Sequence, residues 1–257
     1  MKRYQYTSKF AADMDAFIDF KASVGIASNS RNWTLYDFDR YCVEHGLTQF
    51  NRQTVEGWVI NRKAMTSPNH LTWVSHIREL GRFMNASGNE GAYILSDDFK
   101  AKMVRIQPYL LTQAEVGAFF AAAVEYKDAT PWTWQAACFF GLMHSCGLRP
   151  CEVRRLQRSN VHPEAGEIDI MWSKGHRSRK LAITDEVAKM VALCDTKTSA
   201  AFGSERPALF ISSTGNPVAS SAIGIIFHRI WESASLPAEK GGKHPRPYAF
   251  RHRFAYA

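Results

Sequence analysis

Residues 146–153 read CGLRPCEV, which places an arginine in a Gly-Leu-Arg-Pro turn with a glutamate three residues later. A second arginine motif, YAFRHRFA, lies far along the chain at 248–255. Between the two motifs is a basic segment, WSKGHRSRK, at 172–180. The order and the residue types of these three stretches carry most of what the 257-residue chain says about its architecture and its chemistry.

Two arginines and a lysine, without a cluster of metal ligands, suit the binding and breaking of a phosphodiester without a metal ion. Attack on the phosphorus puts negative charge on the non-bridging oxygens, and the planar, permanently charged fork of arginine matches two such oxygens at once. Losing one donor of that kind costs about 3–4 kcal/mol of barrier. A lysine on a mobile loop suits the role of general acid for a departing oxygen.

The same residues also have a purely structural interpretation. Arg149 suits the capping of the preceding helix and an ion pair with Glu152. Arg251 and His252 suit a solvated helix face, and Lys174 suits a solvated loop. The joint order of the motifs, rather than any one residue, favours the functional interpretation.

The composition is that of an ordinary globular protein with room for two modest domains. Hydrophobic residues make up 46% and charged residues 22% of the chain, which argues against wholesale disorder. The longest apolar runs, such as 136–143, fall far short of the roughly 20 residues that span a bilayer. No apolar segment follows the basic N-terminus, so no signal peptide is visible. We therefore expect a cytoplasmic protein with no membrane partner.

The net charge of +8 favours a polyanionic partner. Nine lysines and arginines, and no acidic residue, occupy the two segments 174–180 and 240–253. Such clusters neutralise phosphates and release counterions from nucleic acid. A surface selected for solubility is the competing interpretation, and charge alone does not separate the two.

The cysteines form no CxxC pair and no disulfide framework. The five are Cys42, Cys138, Cys146, Cys151 and Cys194. His144, Cys146 and Cys151 invite a zinc interpretation, but no second ligand pair follows at a usual spacing. Buried or semi-buried thiols are the favoured interpretation. We expect no metal site and no cofactor.

Apolar residues at spacings of three and four predict four helices in the first hundred residues. Three of them span 8–24, 28–45 and 48–63, and Pro68 and Asn69 open the fourth. The residues expected on their apolar faces include Phe17, Phe20, Trp33, Trp58 and Ile60. Short helices with tight connections make a small all-α bundle, to which we assign residues 1–90.

The segment 91–107 lacks strong periodicity and is the expected linker to a second domain at 108–257. A capping box, Thr112-x-x-Glu115, predicts the first helix of that domain. Alternation at 167–172 and 180–184 predicts a β-hairpin whose loop is the basic segment 173–179. Further helices are predicted from Pro131 towards 145, from 184 or 185, over 220–233 and over 248–257. The predicted fold class is mainly α with a small β-hairpin or sheet.

The two arginine motifs and the lysine-bearing hairpin between them resemble the tyrosine recombinases, the phage-integrase family. The resemblance covers nearly the whole chain. It implies a SAM-like helical core-binding domain at 1–90 and a mixed α/β catalytic domain at 108–257, incomplete at its C-terminus. It also implies that the two domains clamp duplex DNA between them.

By resemblance, Arg149 and Arg251 hold the scissile phosphate, and Lys174 is the general acid, with Lys180 as its main rival. Glu152 matches the acidic residue that orients neighbouring groups in this family. Tyr248 falls in a catalytic position, and His252 is a second supporting residue. The residues expected to contact DNA are Arg177, Arg179, Lys180, Lys243 and Arg246.

Two departures from the family pattern affect the expected activity. Tyr248 stands three residues before Arg251, where most of the family has histidine, and a phenol with a pKa of about 10 is a poor base at neutral pH. His244 is a candidate substitute. The family's later His or Trp and its nucleophilic Tyr have no counterpart by residue 257. Tyr256 is expected to be a packing residue, so no nucleophile is expected in this chain.

The resemblance implies a site-specific recombinase that cuts and rejoins DNA strands through a 3′-phosphotyrosyl intermediate without a metal ion. Its expected partner is double-stranded DNA at attachment or core sites, where the full-length enzyme forms a tetramer. This chain is expected to bind DNA without cleaving it, and its own oligomeric state, monomer included, stays open. A naturally truncated, non-catalytic DNA-binding regulator of recombination is the main alternative. A type IB topoisomerase, against which the small helical N-terminal domain argues, and a purely structural protein are weaker ones.

Overall fold

A computed structural model describes residues 3–65, 72–99, 107–171 and 178–256. Its contacts divide the chain into two compact units, residues 1–105 and 106–257. Each unit has an apolar core of its own. Within the described ranges, every helix is too short or too polar to cross a lipid bilayer.

The first unit contains four α-helices within its described residues. They are α1 (Ala11–Ser23), α2 (Asn29–Glu44), α3 (Arg52–Met65) and α4 (Thr72–Ala86). The Ser28 side chain caps α2 by accepting a hydrogen bond from the backbone N–H of Arg31 at 3.3 Å. Large apolar side chains such as Phe17, Phe38 and Trp58 fill the core between the helices. The predicted helical bundle is therefore confirmed, with helix boundaries that differ by a few residues.

Three side chains that the apolar pattern placed on buried faces are exposed: Phe20 by 48%, Trp33 by 45% and Ile60 by 61%. Phe20 lies at the edge of its stripe, with its ring centroid 5.6 Å from that of Phe83. Trp33 carries the Arg62 guanidinium on its face, 4.6 Å from the ring centroid. An apolar stripe is wider than the surface that neighbouring helices cover, so residues at its edges keep contact with solvent.

The segment that follows α4 packs onto the first unit. Ala92 and Leu95 are buried in its core. The guanidinium of Arg78, itself buried, donates hydrogen bonds to the backbone carbonyls of Leu95 and Ser96 at 2.8 and 2.7 Å. The linker predicted at 91–107 overlaps this segment, whose first residues are thus held by the helical bundle.

The second unit contains six α-helices within its described residues. They are α5 (Gln113–Glu125), α6 (Trp132–Ser145), α7 (Pro150–Arg154), α8 (Asp185–Phe202), α9 (Ser220–Ser233) and α10 (Ala249–Tyr256). The predicted capping box starts α5: the Thr112 hydroxyl accepts from the Glu115 N–H at 3.2 Å, and the Glu115 carboxylate accepts from the Thr112 N–H at 2.7 Å. The short helix α7 was not predicted.

A three-stranded antiparallel sheet lies between α7 and α8 in the chain, in the order β1-β2-β3. The strands are β1 (Val161–His162), β2 (Glu167–Ile170) and β3 (Arg179–Ala182). Ile168 and Ile170 are buried on one face of β2, and Ile170 pairs with Arg179 in the register. The predicted hairpin is confirmed, and β1 adds a strand that was not predicted. The loop residues 172–177 lie outside the described residues.

Candidate phosphate site on the second unit

The turn between α6 and α7 presents Arg149. Helix α6 ends at Ser145. Gly147 adopts a positive φ of +60°, a backbone conformation that residues with a Cβ rarely adopt. Arg149 then occupies the N-cap position of α7, and Pro150 is the first residue of that helix. The arginine therefore stands at the start of a new helix rather than at the end of the preceding one.

Glu152 is the buried centre of this turn, with its side chain only 3% exposed. Its carboxylate accepts from the Arg149 backbone N–H at 2.9 Å and from Arg149 Nη1 at 2.8 Å. From β3, the Arg179 guanidinium reaches the same carboxylate with two parallel hydrogen bonds, at 3.1 and 3.0 Å. One carboxylate thus holds two arginines. The pair expected between Arg149 and Glu152 on structural grounds is present within this larger arrangement.

Glu152 is ionised despite its burial. Removal from water disfavours the charged form, but hydrogen bonds from Arg179 and from the backbone and side chain of Arg149 outweigh that effect. Together they lower the pKa of Glu152 to about 2. At neutral pH the cluster of one carboxylate and two guanidinium groups therefore carries a net positive charge.

Arg251 reaches this turn from α10. Its Nη1 donates a hydrogen bond to the backbone carbonyl of Gly147. The helix is anchored by Phe250, which is fully buried and packs its ring against those of Phe119 and Phe120 at centroid distances of 5.0 and 5.5 Å. On the other side, the Phe254 ring lies against Gly147 so closely that a Cβ there would overlap it. Glycine at 147 therefore brings α10, and with it Arg251, next to the Arg149 turn.

Tyr248 stands beside the first arginine. The pKa of Arg149 is raised above its usual value chiefly by the hydrogen bond to Glu152, and the Tyr248 hydroxyl adds to this effect. The Tyr248 ring makes an edge contact with His252, with centroids 5.0 Å apart. With its side chain 37% exposed, Tyr248 borders the site and also faces solvent.

An open depression extends from Tyr248 and His252 towards the loop before α10. Its lining includes His244, Lys243 and Arg246. Lys243 Nζ donates to the Gln107 side chain at 3.1 Å. His244 Nδ1 lies 3.2 Å from the carbonyl oxygen of Ala238, within its own loop. The predicted DNA contacts Lys243 and Arg246 therefore lie on the same surface as Tyr248.

The remaining predicted site residues belong to the β2–β3 hairpin. Lys174 and Arg177 lie outside the described residues. Lys180 is exposed on β3, and its Nζ donates to Glu167 at 2.8 Å, which raises the pKa of the lysine. Arg179 directs both terminal nitrogens of its guanidinium group towards Glu152.

Tyr256 differs from what the sequence predicted. Its side chain is 70% exposed instead of packed, and it lines a surface depression with Pro108, Leu110 and Lys243. The prediction was wrong because α10 buries one face only, through Ala249 and Phe250. Residues late in this short helix remain on its outer side.

Gly147 is a residue of the turn whose role was not predicted from the sequence. Its backbone carbonyl accepts the hydrogen bond from Arg251, although only its place between a helix and Arg149 was visible in the motif.

The two cysteines of the turn have different surroundings. Cys146 is half-buried, and burial raises the pKa of its thiol to about 11. Cys151 is exposed. In the part of the chain that the structure describes, no three His, Cys, Asp or Glu side chains are grouped to hold a metal ion.

Comparison with known proteins identifies the family. Residues 110–257 match the profile of the phage integrase family. The chain belongs to this family. A putative integrase/recombinase of Sinorhizobium fredii, y4rB, is 23% identical over 257 residues, which cover 96% of this chain and 81% of that protein. The resemblance inferred from the arginine motifs is thereby confirmed.

Solved structures of phage integrase relatives share the fold. The XerH site-specific recombinase, in a pre-cleavage complex with its difH substrate, matches with a TM-score of 0.65 and 15% identity over 97% of this chain and 74% of that chain. A lambda integrase tetramer bound to a Holliday junction matches with a TM-score of 0.62 and 16% identity over 95% of this chain and 71% of that chain. The architecture of both units is therefore that of known tyrosine recombinases.

Proposed function

We propose that this phage integrase family member binds double-stranded DNA at a recombination site and holds one backbone phosphate between Arg149 and Arg251. Two of its structural relatives are complexes with DNA, one of them a tetramer on a Holliday junction. By analogy, we assign to it a tetrameric assembly on DNA, in the cytoplasm. The reaction it serves is the cutting and rejoining of DNA strands.

The observation that carries the proposal is the hydrogen bond from Arg251 to the Gly147 carbonyl. It joins residues 104 positions apart and brings the second arginine to the turn that holds the first. Glu152 fixes one edge of the Arg149 guanidinium, while the Arg149 side chain keeps 27% of its surface exposed. Two guanidinium groups brought to the same turn favour the binding of an anion there. A DNA phosphate is the anion that fits the family.

The chemistry follows from where charge develops. Attack on the phosphorus concentrates negative charge on the non-bridging oxygens, and preorganised arginine donors stabilise that charge more than they stabilise the starting diester. We assign this role to Arg149 and Arg251. We also assign to Tyr248, whose hydroxyl meets Arg149, a hydrogen bond to the same phosphate. Lys174 is assigned the proton for the departing 5′ oxygen, on the family pattern alone.

No residue among these 257 is assigned as the nucleophile. Tyr256 follows Arg251 by five residues on α10, which turns it by about 140° around the helix axis. Arg251 faces the Gly147 carbonyl, whereas Tyr256 is 70% exposed. A polypeptide of these residues therefore binds DNA without forming a covalent link.

Binding to a fluorescently labelled duplex of mixed sequence tests the first part of the proposal. We expect salt-sensitive binding of the 257-residue chain that weakens about tenfold in Arg149→Met and in Arg251→Met, because each loses a charge-assisted contact to phosphate. Lys189→Met, which removes an exposed charge from α8, is the matched control and is expected to change little. No binding at low salt, or equal losses in all three variants, would contradict the phosphate site.

A nicked duplex tests the second part. After incubation and denaturing electrophoresis, the chain is expected to leave no covalent protein–DNA band. A band that survives denaturation and disappears in Tyr256→Phe would identify Tyr256 as a nucleophile and overturn the non-cleaving assignment. A band that persists in Tyr256→Phe would overturn it as well and would point to another residue.

A further inference from the structure

Arg179 is the described basic residue of the hairpin whose side chain turns inwards. Both of its terminal nitrogens donate to the Glu152 carboxylate, at 3.1 and 3.0 Å. The side chain of Glu152 is 3% exposed and that of Arg179 is 34% exposed. The neighbouring Lys180 instead points outwards, with its side chain 66% exposed and paired with Glu167. Two adjacent basic residues of β3 thus have different surroundings.

The charges around Glu152 explain what the inward arginine does. The carboxylate lies against Arg149, so on its own it would neutralise that arginine and repel a phosphate bound there. Arg179 supplies a second positive charge to the same carboxylate. The two arginines and one carboxylate leave one net positive charge. Arg179 gives both terminal nitrogens to the carboxylate, whereas Arg149 gives only one.

We infer that Arg179 is a positioning residue for phosphate binding that acts through Glu152: it neutralises and holds the carboxylate, so that Arg149 keeps its orientation and its positive charge for the DNA phosphate. Arg179 then makes no direct contact with the phosphate. The inference rests on the proposed function of Arg149 and deepens it, because it assigns to the hairpin a part in setting the charge of the site.

A cycle of variants in the DNA-binding assay separates this role from a direct contact. Arg179→Met is expected to weaken binding about tenfold in the native background, and less than about threefold in the Glu152→Gln background, where no carboxylate remains to be neutralised. Lys180→Met is the matched control from the same strand. Any loss it causes is expected to be the same in both backgrounds, since Lys180 has no link to Glu152.

A third variant tests the charge mechanism directly. Glu152→Gln, added to Arg179→Met, removes the carboxylate that Arg179 no longer neutralises. Affinity for the duplex is expected to recover at least threefold relative to Arg179→Met alone. If Arg179 only stabilises the fold, affinity for the duplex is expected to fall further in the double variant, because the second substitution destabilises the same cluster.

The outcomes separate a failure of the proposed phosphate site from a failure of the positioning role of Arg179. If Arg149→Met itself does not weaken binding, the proposed phosphate site fails. If Arg149→Met weakens binding but the loss from Arg179→Met is the same in both backgrounds, Arg179 contacts DNA directly and the positioning role is overturned. Failure of Glu152→Gln to restore binding overturns it too. Should Arg179→Met not fold by thermal unfolding, Arg179→Gln, which keeps hydrogen-bond donors for Glu152 without the charge, takes its place in the same cycle.

Discussion

The second unit contains two carboxylates that are each shared by two arginines, and they have different consequences. Glu152 holds Arg149 and Arg179 at the α7 turn. Asp195, on α8, holds Arg158 and Arg206. Both carboxylates have lowered pKa values, because the hydrogen bonds from their arginines outweigh the effect of burial. In charge alone the two clusters are equivalent.

They differ in where the remaining arginine donors go. Around Asp195, Arg158 also donates to the Ser204 carbonyl, and Arg206 also donates to the carbonyls of Ala208 and Leu209. That cluster ties a loop to α8, and its arginines donate their hydrogen bonds to groups within the protein. At Glu152, Arg149 gives one terminal nitrogen to the carboxylate and also meets the Tyr248 hydroxyl. Under the proposed function, the Glu152 cluster keeps arginine donors for a ligand, whereas the Asp195 cluster serves the fold.

The pH dependence of stability tests the Glu152 cluster. The folded-state pKa of Glu152, about 2, lies below its usual value of 4.5. The stabilisation is therefore fully present above the unfolded pKa and is lost as the pH falls from about 4.5 to about 2, and it amounts to about 3 kcal/mol. Denaturant unfolding of the native chain and of Glu152→Gln is expected to show a difference at pH 7 that shrinks over that range. A difference that stays constant into acid would contradict the assignment.

Removal of Asp195 tests the other cluster. Asp195→Ala leaves two arginines facing each other, and its side chain is 25% exposed, so we expect a loss of about 2–3 kcal/mol in the free energy of unfolding. Chemical denaturation measures this loss. DNA affinity, corrected for the folded fraction, is expected to stay unchanged. A reduced affinity of the folded protein would mean that the Asp195 cluster also serves the DNA surface.

Matched arginine substitutions sharpen the contrast. Arg149→Met is expected to weaken DNA binding about tenfold, which corresponds to about 1.4 kcal/mol, with little change in the unfolding midpoint. Arg158→Met is expected to lower the midpoint and leave DNA affinity unchanged, because all its described contacts are internal. Fluorescence anisotropy measures the DNA affinity of each variant, and thermal unfolding measures its midpoint. If both arginines affect the same property, the distinction between the clusters fails.

A glycine pair gives the smallest effect. Gly147→Ala places a Cβ at a positive φ and against the Phe254 ring, so we expect a loss of about 1–2 kcal/mol in stability together with weaker DNA binding as α10 shifts. Gly117→Ala is the control, since Gly117 lies inside α5 with open space around its Cα. That change is expected to stabilise the chain by about 0.5–1 kcal/mol. Equal effects of the two substitutions would show that Gly147 has no special backbone role.

Local patterns in the sequence predicted much of this architecture. The helix α9 spans the residues 220–233 that were predicted for it, and the capping box at Thr112 starts α5 as expected. The hairpin was predicted from a change of period to two. These features depend on residues close together in the chain, for which periodicity and capping chemistry are sufficient. The short elements α7 and β1, with five and two residues, are too brief to show a period.

The parts of the site that escaped prediction depend on distant residues. Arg179 was expected to contact DNA, yet it pairs with a glutamate 27 positions earlier, and that pairing depends on how the hairpin packs. The positive charge of Arg179 was visible in the sequence, but the direction in which its side chain points was not. Tyr256 was expected to pack, and is exposed because α10 buries only one face. The order of the motifs predicted which residues form the candidate site, while tertiary packing determined which way each side chain points.

The contact between Arg251 and Gly147 also has a consequence for the order in which the molecule folds. Closing a loop of 104 residues carries an entropic cost of about 4 kcal/mol, whereas the β2–β3 hairpin joins near neighbours. We expect the helices and the sheet of the second unit to collapse first and α10 to dock afterwards. During synthesis, the Arg149 turn leaves the ribosome about a hundred residues before α10, so under the proposed function the nascent chain carries one guanidinium of the site well before it acquires the second.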